Sequence, residues 1–268
     1  MIDQNAVDYS RLDVPEVLLR LFHPRPELSS AGAQTEARDL LIPVAGDAAV
    51  GARFHPAAAA APTILFFHGN GEIVADYDEL APFYQRRGVN FFPVDYRGYG
   101  RSTGDPTVTA MMRDCHEIFR FTRQWLPEMG YPGPLVVMGR SLGSASALEL
   151  AAAYPDQVAA LIVESGFAYA GPLLQLLGVN LAAIGFREPA GFRNIDKIRA
   201  YPGPTLIIHA EHDHIIPLSD GQALYDAAGA ADKTLLKIPH ANHNDILFQG
   251  FTAYMAAIQT LTEKIGRG

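Results

Sequence analysis

Short apolar runs separated by segments of helical composition organise most of the chain. The runs are "TILFFHG" from Thr63, "VNFFPVDY" from Val89, "LVVMG" from Leu135, "AALIVES" from Ala159, "TLIIHA" from Thr205 and "KTLLKIP" from Lys233. Each has the length of a strand and is apolar almost throughout, as a strand buried on both faces must be. Between them, "DYDELAPFYQRRG", "TVTAMMRDCHEIFRFTRQWL", "SASALELAAAYP" and "SDGQALYDAAGA" read as helices. Buried strands alternating with helices predict an α/β protein with a mostly parallel sheet covered on both faces. Ahead of this series, "LLIPVAG" and "AVGARFHP" predict a hairpin turning at Gly46-Asp47. "AAAAAP" is short and stops at Pro62, so it reads as a connector rather than a helix.

Two stretches stand outside the rhythm. Residues 1–38 read as an N-terminal extension to a main domain at 39–268, with "VPEVLLRLFHP" a short helix that Pro24 and Pro26 end. Residues 166–201 hold more chain than one crossover needs and include the apolar "PLLQLLGVNLAAIGF". An insertion on the ligand side of such a sheet suggests a short lid; an ordinary packed crossover helix with a long tail is the alternative.

Composition narrows the classes. With 49% hydrophobic and 19% charged residues over 268 positions, the chain can bury a large core. A net charge of −8 disfavours nucleic acid and anionic membrane as main partners. No run approaches the roughly 20 apolar residues of a membrane span, and the first residues lack the basic and apolar regions of a secretion signal. The expected location is therefore cytoplasmic, with no stable membrane insertion. The single cysteine, Cys115, lies in a helical segment and reads as a half-buried small hydrophobe rather than a nucleophile. Oligomeric state leaves no signature.

The chemistry begins at "LVVMGRSLGSASALEL". A lone G-x-S-x-G is weak, but here Leu135–Met138 supply a strand and Ser144–Ala153 a helix, with Ser141 at the turn between them. That is the setting of a nucleophile elbow, whose tight turn leaves no room for side chains at Gly139 and Gly143. A serine hydroxyl needs a base, and the base needs an orienting carboxylate. In the order Ser, acid, His, the acid is Asp213, on the loop after "TLIIHA". The base is His243, a few residues past the last strand, whereas His240 directly follows Pro239 and reads as structural. Asp245 suits the cap of the final helix. His212 and His214 flank Asp213, yet no ligand set at metal spacing surrounds them, so neither a metal nor a cofactor is expected. An oxyanion hole needs two donors. The backbone N–H groups of Leu142 and of Asn70, in "HGNG", fill that role, with His68 ordering the loop.

With these residues placed, the chain over roughly 38–265 resembles a serine hydrolase of the α/β-hydrolase superfamily. It is most similar to small α/β-hydrolase domain proteins, through "FFHGNGE", "VDYRGYGRSTG", "VMGRSLGSA", "VESGF" and "HNDI" in that order. The resemblance implies an eight-stranded, mostly parallel sheet and a triad on Ser141, Asp213 and His243. It also implies ester or thioester hydrolysis, protein depalmitoylation included. One departure is Asn242, where relatives carry glycine; asparagine tolerates the left-handed conformation that glycine would supply. Residues 1–38 do not read as the cysteine-rich palmitoylated segment or membrane anchor of some relatives, so a membrane-bound substrate is not among the expectations that the resemblance carries over.

Arg140, beside the serine, invites a role in binding a substrate carboxylate or phosphate. The neighbouring strand ends at Glu164, and the reading preferred is a brace between Arg140 and Glu164. The acyl pocket is assigned to Leu173, Leu174, Leu176 and Leu177, with Phe167 and Ile215 nearby. The expected activity is a carboxylesterase or thioesterase acting on a small acyl substrate. A serine peptidase, or a catalytically silent binding module on the same fold, is the alternative.

Overall fold

The parallel-sheet pattern is realised as an eight-stranded sheet in the computed structural model, which describes residues 8–28 and 36–266. The strands are β1 (Arg38–Pro43), β2 (Ala49–Phe54), β3 (Thr63–Phe67), β4 (Asn90–Val94), β5 (Leu135–Arg140), β6 (Ala160–Glu164), β7 (Thr205–Ala210) and β8 (Lys233–Ile238). Their spatial order is β1-β2-β4-β3-β5-β6-β7-β8. β2 runs antiparallel to both its neighbours, and every pair from β4 to β8 is parallel. This is the α/β-hydrolase fold.

The pleat explains why the strands read as unbroken apolar runs. In β3, Leu65 and Phe67 enter the core on one face, while Ile64 and Phe66 enter the core on the other. The first core is covered by α3 (Val108–Glu128), α4 (Ser144–Ala153), α6 (Asn194–Ala200) and α7 (Leu218–Ala227), the second by α2 (Ala81–Gln85) and α8 (Ile246–Ile265). α3 starts where Thr107 Oγ1 accepts the N–H of Ala110. Cys115 on α3 is fully rather than half buried.

Three segments differ from the sequence pattern. "DYDELAPFYQRRG" yields only α2 and a preceding 3-10 turn, because Pro82 fixes the start and Gly88, at φ +68°, ends it. The segment read as an extension forms α1 (Pro15–Leu21) and buries Leu12, Val17, Leu21 and Phe22 in the first core. Residues 1–7 and 29–35 of it lie outside the described residues. Within 166–201, α5 (Ala170–Leu176) lies beside the site, whereas α6 packs against α4 as a crossover helix.

Candidate active site

The site forms at the carboxyl ends of β3, β5, β7 and β8, where their loops converge. β5 ends at Arg140, and Ser141 follows in a left-handed conformation, φ +50°. That backbone is strained for a residue with a Cβ and is held by its surroundings. A Cβ on Gly139 would stand 2.2 Å from the carbonyl oxygen of Gly143, and one on Gly143 would stand 2.1 Å from that of Phe67. The close approach of α4 to β3 and β5 therefore requires both glycines. Ser144 Oγ donates to the carbonyl of Ser141 at 2.6 Å and closes the turn.

Ser141 Oγ lies 3.0 Å from His243 Nε2, and His243 Nδ1 lies 2.7 Å from Asp213 Oδ2. Burial raises the Asp213 carboxyl, but the hydrogen bond and charge of His243, with the N–H groups of Ile216 and Ile215, bring it below the usual carboxylate range. Asp213 is therefore ionised and can only accept, so the proton of the imidazole sits on Nδ1 and leaves Nε2 to accept from the serine. The Asp213 carboxylate is fixed in turn, since its Oδ1 accepts from Ile215 N at 3.0 Å and Ile216 N at 2.8 Å.

A cavity of about 250 Å³ opens over Ser141. Asn70 and Leu142 line it, as do Leu173, Leu177 and Ile215. Leu142 occupies the first turn after the elbow, where a backbone N–H has no preceding intrahelical acceptor. Among the described residues, the Asn70 N–H likewise has no protein acceptor. His68 is fully buried, donating from Nδ1 to the Gly69 carbonyl at 2.8 Å, with Nε2 3.2 Å from Asp95.

Several assignments shift. Phe167 and Leu176 do not reach this cavity; they line a neighbouring one of about 280 Å³ that shares Leu173 and Ile215 with it. The Phe167 ring packs edge-on against Phe192, 5.2 Å away, and Leu176 on the outer face of α5 is 58% exposed. Leu174 is buried in the core instead. The left-handed residue before the last helix is His240, at φ +60°, and not Asn242, which accepts the His243 N–H on its side chain. Asp245 holds the N-cap position of α8, but its side chain accepts from Asn242 N at 2.5 Å rather than from the helix.

Arg140 lines the cavity beside Ser141, but its guanidinium is engaged by protein groups. Its Nε is 3.5 Å from Glu164 and closer, 3.1 Å, to Glu72, and its Nη2 donates to the carbonyl of His243 at 3.1 Å. Burial raises the Glu164 carboxyl, a shift only partly opposed by Arg140 and by the hydroxyl of Tyr254, which donates to it at 2.6 Å.

Sequence reasoning passed over Glu72, Asn244, Leu21 and His23, which complete the cavity. Glu72 had a signal, an acid at the end of "HGNGE". Leu21 and His23 had none, because nothing local marks a contact with residues 46 or more positions away. Among the described residues, Glu211, His212 and His240 bring potential metal ligands within 4.8 Å of one another, on an exposed surface apart from the cavity. His214 turns away toward Asn242. No described helix is long and apolar enough to cross a membrane.

Comparison with known proteins matches residues 58–184 to the family described as "Serine aminopeptidase, S33". The chain is 32% identical over 196 residues to alpha/beta hydrolase domain-containing protein 17B of Homo sapiens, covering 70% of this chain and 62% of that protein. It is 28% identical over 200 residues to protein bem46 of Schizosaccharomyces pombe, covering 69% and 62% respectively. The chain thus spans less than two thirds of these relatives. Among solved structures, the esterase Pf2001 of Pyrococcus furiosus superposes with a TM-score of 0.70 at 15% identity, covering 90% of this chain and 99% of that one. Est1E of Butyrivibrio proteoclasticus gives 0.68 at 16% identity, over 86% and 99%.

Proposed function

The chain belongs to the α/β-hydrolase superfamily, and on that premise we propose that it is a serine hydrolase cleaving carboxylic esters or thioesters through an acyl-enzyme on Ser141. The observation that carries the reading is the unbroken hydrogen-bonded chain from Ser141 through His243 to Asp213. In this scheme Ser141 Oγ attacks the acyl carbonyl carbon while His243 Nε2 takes its proton. The carbonyl oxygen becomes an oxyanion facing the N–H groups of Asn70 and Leu142. The tetrahedral intermediate then expels the alcohol or thiol, which leaves with the proton from His243. Water, deprotonated by the same imidazole, attacks the acyl carbonyl and returns free Ser141 and the acid. Asp213 holds the Nδ1–H and offsets the charge of the imidazolium.

Leu173, Leu177, Ile215 and Leu21 make an apolar wall for the acyl group. A volume of about 250 Å³ lies just under that of clefts for drug-sized ligands, which favours short to medium acyl chains. Arg140 is engaged by Glu72, Glu164 and the His243 carbonyl, so no anionic substrate group is assigned to it.

The test is kcat/KM on matched p-nitrophenyl esters, acyl-thiol substrates and aminoacyl anilides over several chain lengths. Turnover of esters or thioesters that is abolished by Ser141→Ala supports the reading. Preference for the anilides replaces it with a peptidase, which would use the same triad and which the description of the matched family brings forward.

A further inference from the structure

We infer that the N-terminal strand of chain around His23 and Arg25 is a strap that positions the oxyanion loop, so that transition-state stabilisation depends on segment 22–27 being docked. The inference rests on the reading of the Asn70 N–H as an oxyanion donor.

The loop His68–Glu72 is not fixed by packing alone. Gly71 sits at φ +77°, and no atom lies within 4 Å of where its Cβ would stand, so that side of the loop is open. From the inside, Glu72 Oε2 accepts the Gly69 N–H at 2.6 Å, and the Tyr96 hydroxyl donates to the His68 carbonyl at 2.7 Å. From the outside, the strap supplies the rest. The His23 N–H donates to Asn70 Oδ1 at 2.8 Å, sharing its hydrogen with Tyr99 Oη at 2.7 Å. Asn70 Nδ2 is 3.1 Å from His23 Nδ1. Arg25 Nε donates to the Gly71 carbonyl at 2.7 Å and its guanidinium pairs with Asp76. Tyr99, which is fully buried, donates its hydroxyl to Asn70 Oδ1 at 2.8 Å. The side chain of Asn70 is thus clamped between strap and Tyr99, which fixes where its backbone N–H points.

The strap is itself held in register. Gly100 N donates to the Arg25 carbonyl at 2.9 Å, Glu27 N donates to the Gly100 carbonyl at 3.2 Å, and Glu27 pairs with Arg53 at 3.0 Å. Just before it, Leu21 is buried and lines the cavity. An oxyanion donor acts only when aimed at the developing charge, and a displacement of about 1 Å costs on the order of a hundredfold in rate. Arg25, His23 and Tyr99 are positioning residues in this account.

Arg25 and Tyr99 do not line the cavity, so their removal should spare substrate binding. The experiment compares the full-length protein with the Arg25→Met, Tyr99→Phe double variant. Expected are a kcat lower by about 10- to 100-fold, a KM within about twofold, and a matching loss of affinity for a boronic acid that forms an anionic tetrahedral adduct. Asn70→Asp, which keeps the acceptor for His23 and Tyr99, should retain more kcat than Asn70→Leu. Amide hydrogen exchange over residues 68–72 should quicken in the double variant at unchanged Tm, a readout independent of any activity. Unchanged exchange there overturns the strap even if the protein proves not to be an esterase. Wild-type kcat and boronate affinity in an active, folded double variant overturn it as well. Failure of the wild type alone to hydrolyse any acyl substrate instead strikes at the proposed function.

Discussion

The guanidinium of Arg140 donates to the backbone carbonyl of His243 across 3.1 Å, tying the residue before the serine to the loop that carries the imidazole. The same side chain spans Glu72 and Glu164 on the other side. Its charge is favoured by these two carboxylates although burial opposes it. Removing one member of such a buried group leaves uncompensated charge, at a cost of about 3–5 kcal/mol. Arg140→Ala should lower stability by that order in urea unfolding, and should lower kcat by loosening His243. Arg140→Lys should not restore either, because an ammonium cannot span three acceptors as the guanidinium does. Unchanged stability, with KM raised only for anionic esters, would make Arg140 a substrate-binding residue instead.

The elbow glycines give a sharper contrast. A methyl at Gly143 meets the backbone oxygen of Phe67, which cannot step aside without moving β3. Gly143→Ala should fail to give folded protein, or unfold at far lower denaturant. Gly46, at φ +76° in the β1–β2 turn, has open space around it. Gly46→Ala should cost only about 1 kcal/mol, the penalty of a left-handed alanine. Equal effects at the two positions would remove steric closeness as the reason for Gly143.

How far these features could be read beforehand depended on the range of the contacts. β3, β5 and β7 were legible because strands buried on both faces leave long apolar runs, and the hairpin because Gly46-Asp47 marks a turn. Ser141, Asp213 and His243 were picked out because each follows a sheet strand, and sheet topology brings such loop positions together. The role of α1 in the core was not legible, since one short amphipathic helix says nothing of where it docks. Glu72 as a partner of Arg140, and His23 as a partner of Asn70, are long-range side-chain contacts made by ordinary residue types. That Phe167 and Leu176 line the adjoining cavity rather than the one over Ser141 was not legible, because apolar composition cannot tell which way a side chain turns once the backbone is set on the fold.

Buried charge also predicts a pH response. Lys197 on α6 lies 2.6 Å from Glu149 on α4. Burial raises the Glu149 carboxyl, but His116 and Lys197 outweigh it and bring it down to about 2. Burial pulls the Lys197 ammonium below its usual value, with Glu149 opposing the shift. A depressed carboxyl contributes stability that is present above its unfolded value of 4.5 and lost as pH falls toward 2. The contribution is on the order of 3 kcal/mol. The wild-type Tm should therefore drop across that window more steeply than that of the Glu149→Gln, Lys197→Met double variant. Parallel curves would show that the pair does not carry the acid response.

Leu173 and Ile215 stand between the cavity over Ser141 and the neighbouring cavity of about 280 Å³. Leu173→Ala should join the two spaces and move the preferred acyl chain to greater length, with kcat/KM for the longest esters rising relative to acetate. A Leu173→Trp variant should move the preference the other way. A chain-length profile unmoved by both would place the acyl group elsewhere.

The central claim is that Ser141 is the nucleophile, activated by His243 and Asp213. It is tested most directly by intact-mass and peptide mapping after treatment with a fluorophosphonate. The account predicts one covalent adduct, on Ser141, formed in the wild type and lost in Ser141→Ala. Its rate should fall by a factor of roughly 10³ or more in His243→Ala and Asp213→Asn. Well-folded wild-type protein that takes up no adduct at Ser141, or labels as fast without His243, would contradict it.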